Sequence, residues 1–242
     1  APTSTAPEAI VAGGGVAAIA GVLQVGRDNG DLQKQASFLL SVLAGPAARS
    51  AALNADPNIR SILVDAVLHP ADASNFCVCR NTILALYYMA KERNSHQRRP
   101  NQQGVPGNDN DGDDGDARAA LEGMRRYPDA PVIQRYAWKL LGQAGLPVGS
   151  AKSVLALAAG TLKVHGDNPA VVEGIFTCAA AEWCAEFREC MRQASLAAPG
   201  GPEEAERRAL KALLVVMRRY SENEAIQVPG LRALQNVPAL YA

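Results

Sequence analysis

A chain of 242 residues in which 24 Lys+Arg balance 24 Asp+Glu has no net field to attract nucleic acid or an anionic membrane surface. Hydrophobic residues make up 48% but aromatics only 5%, so the apolar mass is Ala, Leu and Val, which favours helix cores over the β-branched and aromatic surfaces of sheets. No apolar run approaches the roughly 20 residues that span a bilayer, and five cysteines without framework spacing read as reduced, mostly buried thiols.

Along the chain, residues 1–8 (APTSTAPE) are small, polar and proline-bearing and predict a mobile leader. Gly13, Gly14 and Gly15 lack the Lys-Ser/Thr of a phosphate loop, so they are expected to separate a short first helix from the next. A stripe of Ile19, Val22 and Leu23 precedes the polar turn Arg27-Asp28-Asn29-Gly30. Helical spacing then resumes over Asp31–Leu43 and stops at Gly45-Pro46. A short helix is expected over Ala47–Asn54, ending at Asp56-Pro57. Ile59, Ile62, Leu63, Ala66 and Val67 form the next stripe. Cys77–Ala90 is apolar nearly all round, as a helix between neighbours would be. Residues 91–116 are basic first and acidic after, with almost nothing apolar, and predict a disordered insert loop. Helical pairs follow at Ala117–Ala144, turning at Tyr127 to Pro131, and at Ser150 to Cys190, turning at His165 to Pro169. A last pair opens at Gly201-Pro202-Glu203-Glu204, turns at Ser221 to Glu224 and ends at Val237-Pro238.

One phrase is written twice. Met124-Arg125-Arg126-Tyr127 leads to Gln134, and Met217-Arg218-Arg219-Tyr220 leads to Gln227, the Gln standing ten residues after the Met in both. With Leu23, Leu68 and Leu162 as further anchors, the spacing is a base period of about 40 residues with loop insertions, the signature of stacked helical pairs. No segment alternates with period two, so no sheet is expected.

The breaks "RYPDAP", "KVHGDNPA" and "RYSENEA", each leading into a helix such as "AWKLLGQ" or "GLRALQN", resemble the armadillo repeat, with HEAT repeats as a close relative in pattern. The likeness covers the chain outside its leader and the 91–116 insert. It implies an all-α fold, a right-handed α-solenoid of about five armadillo-like repeats, whose third helices line a concave groove that grips extended peptides or partner helices. Those helices would be Asp31–Leu43, Cys77–Ala90, Val132–Ala144, Ala170–Trp183 and Ala225–Val237. Nuclear import adaptors of the family read Trp-x-x-x-Asn along this groove. Here Lys139 with Gln143 and Arg232 with Asn236 stand at the matching places, only Asn236 keeps the family residue, and Trp138 is one position off. A receptor for nuclear-localisation signals is therefore not expected.

The remaining constellations favour structure over chemistry. Asp109, Asp111 and Asp113 begin like a calcium loop, but Asp114 replaces its glycine and Ala120 its bidentate acid. Cys77 and Cys79 have no second pair or nearby His for zinc, and His69, His96 and His165 have no triad partners in view. Cations in Arg125-Arg126 and Arg218-Arg219 suit a helix C-terminus, with a basic ridge along one edge as the functional alternative. The expectation is thus a flexible leader and short helix over 1–15, repeats one and two over 16–90, the insert over 91–116 and repeats three to five over 117–242. The chain should act as a non-enzymatic, intracellular, cytoplasmic scaffold that binds protein partners on its concave face, through Phe38, Lys139, Gln143, Arg232 and Asn236. No cofactor, metal, small-molecule substrate, nucleic acid or membrane insertion is expected. The competing class is a structural subunit built permanently into a larger assembly.

Overall fold

The computed structural model describes residues 6–45, 47–70, 75–97, 110–145, 151–180 and 214–235, and these are helical with short turns and no strand among them. The helices are α1 (Ala6–Ala12), α2 (Gly15–Val25), α3 (Gly30–Ala44), α4 (Ala47–Asn54), α5 (Pro57–Leu68), α6 (Phe76–Gln97), α7 (Asn110–Arg126), α8 (Pro131–Ala144), α9 (Ala151–His165), α10 (Pro169–Ala180) and α11 (Glu224–Gln235), the last preceded by helical residues 214–219. The all-α expectation holds, as an Ala- and Leu-rich composition requires.

Two compact units divide the chain, Ala1–Tyr127 and Pro128–Ala242. In unit one, α5 packs between α2 and α7, while α6 packs on α3, α4, α5 and α7. That central place explains why α6 is apolar on most sides: Val78, Cys79, Ile83, Ala85, Leu86, Met89 and Ala90 are all buried. In unit two, α10 packs against α8, α9 and α11, and Val172, Phe176 and Ile226 close a core there with Leu162, Val216 and Tyr220 at its edge.

Several boundaries differ from the sequence reading. The leader is shorter, since α1 begins at Ala6; it turns into α2 through Gly14, whose φ of 74° suits a residue without Cβ. Together α1 and α2 have the length and apolar character of a span, but they meet at 80°, and no single described helix is long and apolar enough to cross a membrane. The insert loop is corrected at both ends. Helix α6 runs on to Gln97 and α7 starts at Asn110, leaving only 98–109 outside the described residues. The acidic run misleads because Asp116 is 1% exposed and receives two hydrogen bonds from Arg60, at 2.9 and 2.7 Å. Gly115 beside it faces the Val64 methyls of α5, with room for a Cβ at ordinary contact distance, 3.6 Å. The helices read around 181–213, with Cys184, Cys190 and Glu203-Glu204, lie outside the described residues.

Turns hold to their neighbours within each unit. In unit one, Arg27 pairs with Asp65, Arg126 donates to the Val67 carbonyl at 3.0 Å, and Tyr127 stands edge-on to Phe76 at 5.7 Å. In unit two, His165 Nε2 donates to the Pro128 carbonyl at 2.7 Å, and Tyr220 donates to that of Gly166 at 2.8 Å. Arg219 pairs with Asp167. The second arginine of each repeated pair is therefore committed to a neighbouring turn, while Arg125 and Arg218 are exposed.

Candidate binding face of the second helices

The site is built from the helix caps. The second helix of each pair, the one that follows a turn and corresponds to an expected third helix of a repeat, is α3, α6, α8, α10 or α11. Four of these begin after an asparagine whose side-chain oxygen accepts backbone N–H bonds. Asn29 takes those of Asp31 and Leu32 at 3.2 and 3.1 Å, and Asn75 that of Val78 at 3.3 Å. Asn168 takes those of Ala170 and Val171 at 3.1 and 3.4 Å, and Asn223 that of Ala225 at 3.1 Å. Such caps satisfy donors that a helix start leaves without partners. Helix α8 starts after Ala130 instead, with Pro131 at its first position, where the missing N–H costs nothing. In all five, the backbone N–H of the residue four beyond the cap donates to the cap carbonyl: Gln33, Cys79, Gln134, Val172 and Gln227.

A shared start gives a shared register. Residues five, nine and thirteen after the cap lie one above another on a helix. They are Lys34, Phe38 and Val42 on α3; Arg80, Leu84 and Tyr88 on α6; Arg135, Lys139 and Gln143 on α8; Glu173 and Thr177 on α10; and Val228 and Arg232 on α11. None is buried; those of α3 and α11 are exposed and the rest half-buried. Between these lines and the preceding helices lie buried polar ties. Gln33 Nε2 donates to the Leu23 carbonyl at 2.5 Å, and Gln227 Nε2 to those of Met217 and Tyr220 at 2.7 and 2.9 Å. The ten-residue step from Met217 to Gln227, visible as a repeat in the sequence, is this side-chain latch. Gln134, at the same step from Met124, accepts from the Thr161 hydroxyl at 3.1 Å.

The two units clothe this register differently. In unit one the line is apolar at its centre. Phe38 is 48% exposed, with Leu39 and Val42 beside it also exposed, and on α6 the rings of half-buried Tyr87 and Tyr88 lie 5.2 Å apart. Arg80 bonds Asn81 Oδ1 at 2.9 and 3.1 Å and lies over the Phe76 ring. Among the described residues, neither Lys34, Arg80 nor Lys91 pairs with a carboxylate.

In unit two the line is ionic and self-matched. Lys139 Nζ donates to Glu173 Oε1 at 2.7 Å, and Arg135 reaches 3.9 Å from the other oxygen with its guanidinium over the Tyr136 ring. Close approach of α8 and α10 makes this possible. A Cβ at Gly174 would stand 2.9 Å from the Arg135 carbonyl, and one at Gly142 would stand 3.0 Å from the Cys178 Cα.

Of the expected contact residues, Phe38 is exposed in unit one, Gln143 is half-buried on α8, and Arg232 is exposed on α11. Asn236 lies outside the described residues. Lys139 is half-buried on α8: its side chain is 12% exposed and its ammonium donates to Glu173. Trp138 packs as its offset suggests, 1% exposed with its Cβ toward Gly174; its indole N–H and the Arg135 Nε are buried without hydrogen-bond partners. Sequence reasoning missed Arg80, Leu84, Tyr88 and Glu173, which counting from each capping asparagine would have found.

The described thiols stay out of the site. Cys79 and Cys178 are buried and Cys77 half-buried, all three free; burial pushes the Cys79 thiol up to about 12 and raises that of Cys178 as well. Among the described residues no group of His, Cys, Asp or Glu is arranged to hold a metal ion. Comparison with protein-family models, with curated proteins and with solved structures finds no match.

Proposed function

We propose that the chain is a right-handed α-solenoid of about five armadillo-like repeats and works as a non-enzymatic protein-binding scaffold. Its second-helix line would hold an extended peptide or helix of a partner. The observation that supports this most is the common cap register. It keeps one line of side chains per second helix out of the core, from Lys34-Phe38-Val42 to Val228-Arg232. Nearest-neighbour bonds between turns, such as Arg126 to Val67 and Tyr220 to Gly166, are what stacked repeats use to stay in step. Within each unit, rows of exposed and half-buried side chains suit an extended macromolecular partner better than a small substrate enclosed on all sides.

The test is quantitative affinity capture with the wild-type chain and a Phe38→Asp/Arg232→Glu variant. Exposed apolar and arginine side chains are typical binding hot spots, so specific partners should fall by about tenfold or more in the variant at unchanged helicity. Equal capture by both proteins would refute the groove. A chain soluble only when co-expressed with its partners would instead favour a built-in structural subunit.

A further inference from the structure

The partner's chemistry follows from what unit one lacks. Helix α3 packs against α6, so the apolar residues Phe38, Leu39 and Val42 on one and Leu84, Tyr87 and Tyr88 on the other belong to one two-helix layer. Lys34 and Arg80 both stand five residues after their caps, toward the start of each helix, and Lys91 stands beyond Tyr88 near the other end of the α6 line. Arg80 and Lys91 are eleven positions apart, about 16 Å along the helix axis. Two carboxylates share the layer with these three cations, Asp31 in the first turn of α3 and half-buried Glu92 beside Lys91 on α6, and among the described residues neither pairs with any of the three.

The matching line in unit two shows what a self-satisfied face looks like, because Glu173 there engages Lys139 and reaches toward Arg135. Cations left without carboxylates around an apolar centre are complementary to a ligand that brings its own. We propose that unit one's face takes a segment of a protein partner with apolar side chains at its centre and Asp or Glu toward both ends. This rests on the scaffold reading above and adds the sign of the partner's charge. It also orders the contributions: the apolar centre supplies the burial that fixes affinity, and the flanking charges set selection and approach rate.

A phage-displayed library of random peptides, panned on the full chain, tests both levels. The enriched sequences should carry apolar residues bracketed by acids. An enriched peptide, followed by fluorescence anisotropy, should bind about tenfold more weakly to Lys34→Glu/Lys91→Glu, and its affinity should fall with added salt. Both lysines are exposed, so this variant should fold, and circular dichroism checks that it does. Arg80→Gln, which keeps much of the stem, should weaken binding in the same direction. Phe38→Asp should abolish binding whatever the flanking charge. Enrichment of basic or uncharged peptides that still require Phe38 would overturn the charge assignment and leave the groove standing. Peptides indifferent to Phe38→Asp, or no enrichment at all, would overturn both.

Discussion

In unit one the buried ion pair joins Arg60 of α5 to Asp116 of α7, two helices that come before a turn. In unit two the least exposed ion pair among the described residues joins Lys139 of α8 to Glu173 of α10, which are second helices. The backbone register of the second helices is the same in both, set by a cap and an i+4 bond. Where each unit places its acid therefore decides the character of its outer face. Unit one has its buried acid on α7, and among the described residues no carboxylate pairs with Lys34, Arg80 or Lys91. Unit two has Glu173 on the line, where it engages Lys139. A shared cap register fixes positions; which of those positions stay unpaired depends on whether the chain has already satisfied them.

The comparison is broken most directly at Asp116. Its carboxylate is 1% exposed, and the Arg60 side chain only 19%. Asp116→Ala would strand a cation between α5 and α7, and losing one partner of a buried pair costs about 3–5 kcal/mol. Glu173→Ala should cost less, because the long Lys139 stem can carry its ammonium back to water. The double change Arg60→Met/Asp116→Leu should recover most of the loss, since an apolar pair needs no counter-charge. Both tryptophans, Trp138 and Trp183, lie in unit two, so urea melts followed by fluorescence and by circular dichroism separate the units. Asp116→Ala should move the circular dichroism transition and leave the fluorescence transition nearly in place. Equal displacement of both would mean that the two units unfold as one.

A smaller effect sharpens the contrast in packing. Gly174→Ala would push a methyl to 2.9 Å from the Arg135 carbonyl and 3.2 Å from the Trp138 Cβ. Because these are backbone and near-backbone atoms, the helices must separate, at about 1–3 kcal/mol less the small gain in helix propensity. Gly21→Ala in α2 of unit one meets nothing within 4 Å and should stabilise by up to about 1 kcal/mol. The same substitution should thus have opposite signs in the two units. A neutral Gly174→Ala with Lys139–Glu173 intact would show that the close α8–α10 approach is not what holds the ionic line together, and a destabilised Gly21→Ala would show that the α2 surface is less open at Gly21 than its surroundings indicate.

Much of this was legible in the residues alone. Helix boundaries such as Ala47–Asn54 and the turn at Tyr127 to Pro131 follow from punctuation by Pro, Asn and Asp, which acts locally. The ten-residue step from Met to Gln was visible, although its cause, a Gln amide reaching the carbonyl end of the preceding helix, needs two helices side by side. Composition failed over 91–116 because it weighs a stretch by its average, and there one carboxylate, Asp116, is fixed by an arginine 56 positions earlier. The Lys139–Glu173 pair was missed for the same reason: nothing near Lys139 in sequence announces Glu173, 34 positions on. Long-range pairing is the information that a single chain's pattern does not carry. Phe38 could be placed because its exposure follows from helix periodicity alone.

The gentlest probe uses the thiols, one buried in each unit. Burial, opposed by Arg126 and aided by Glu122, pushes the Cys79 thiol from 9.0 up to about 12. The folded state thus keeps a proton that the unfolded state releases above pH 9.0. Stability from this group is fully present below that pH and drains away as pH climbs toward the folded value, by about 1.4 kcal/mol per unit. Cys79→Ala lowers stability at every pH by leaving a small cavity, so the slope carries the information and the level does not. Circular dichroism melts of wild type and Cys79→Ala between pH 8 and pH 10.5 should differ in slope above about pH 9, while the tryptophan transition of unit two, where Cys178 is buried, should keep its slope in both proteins. Parallel circular dichroism slopes would mean that the Cys79 thiolate reaches water within the folded chain, and that the packing of α6 against α7 is looser than its buried side chains imply.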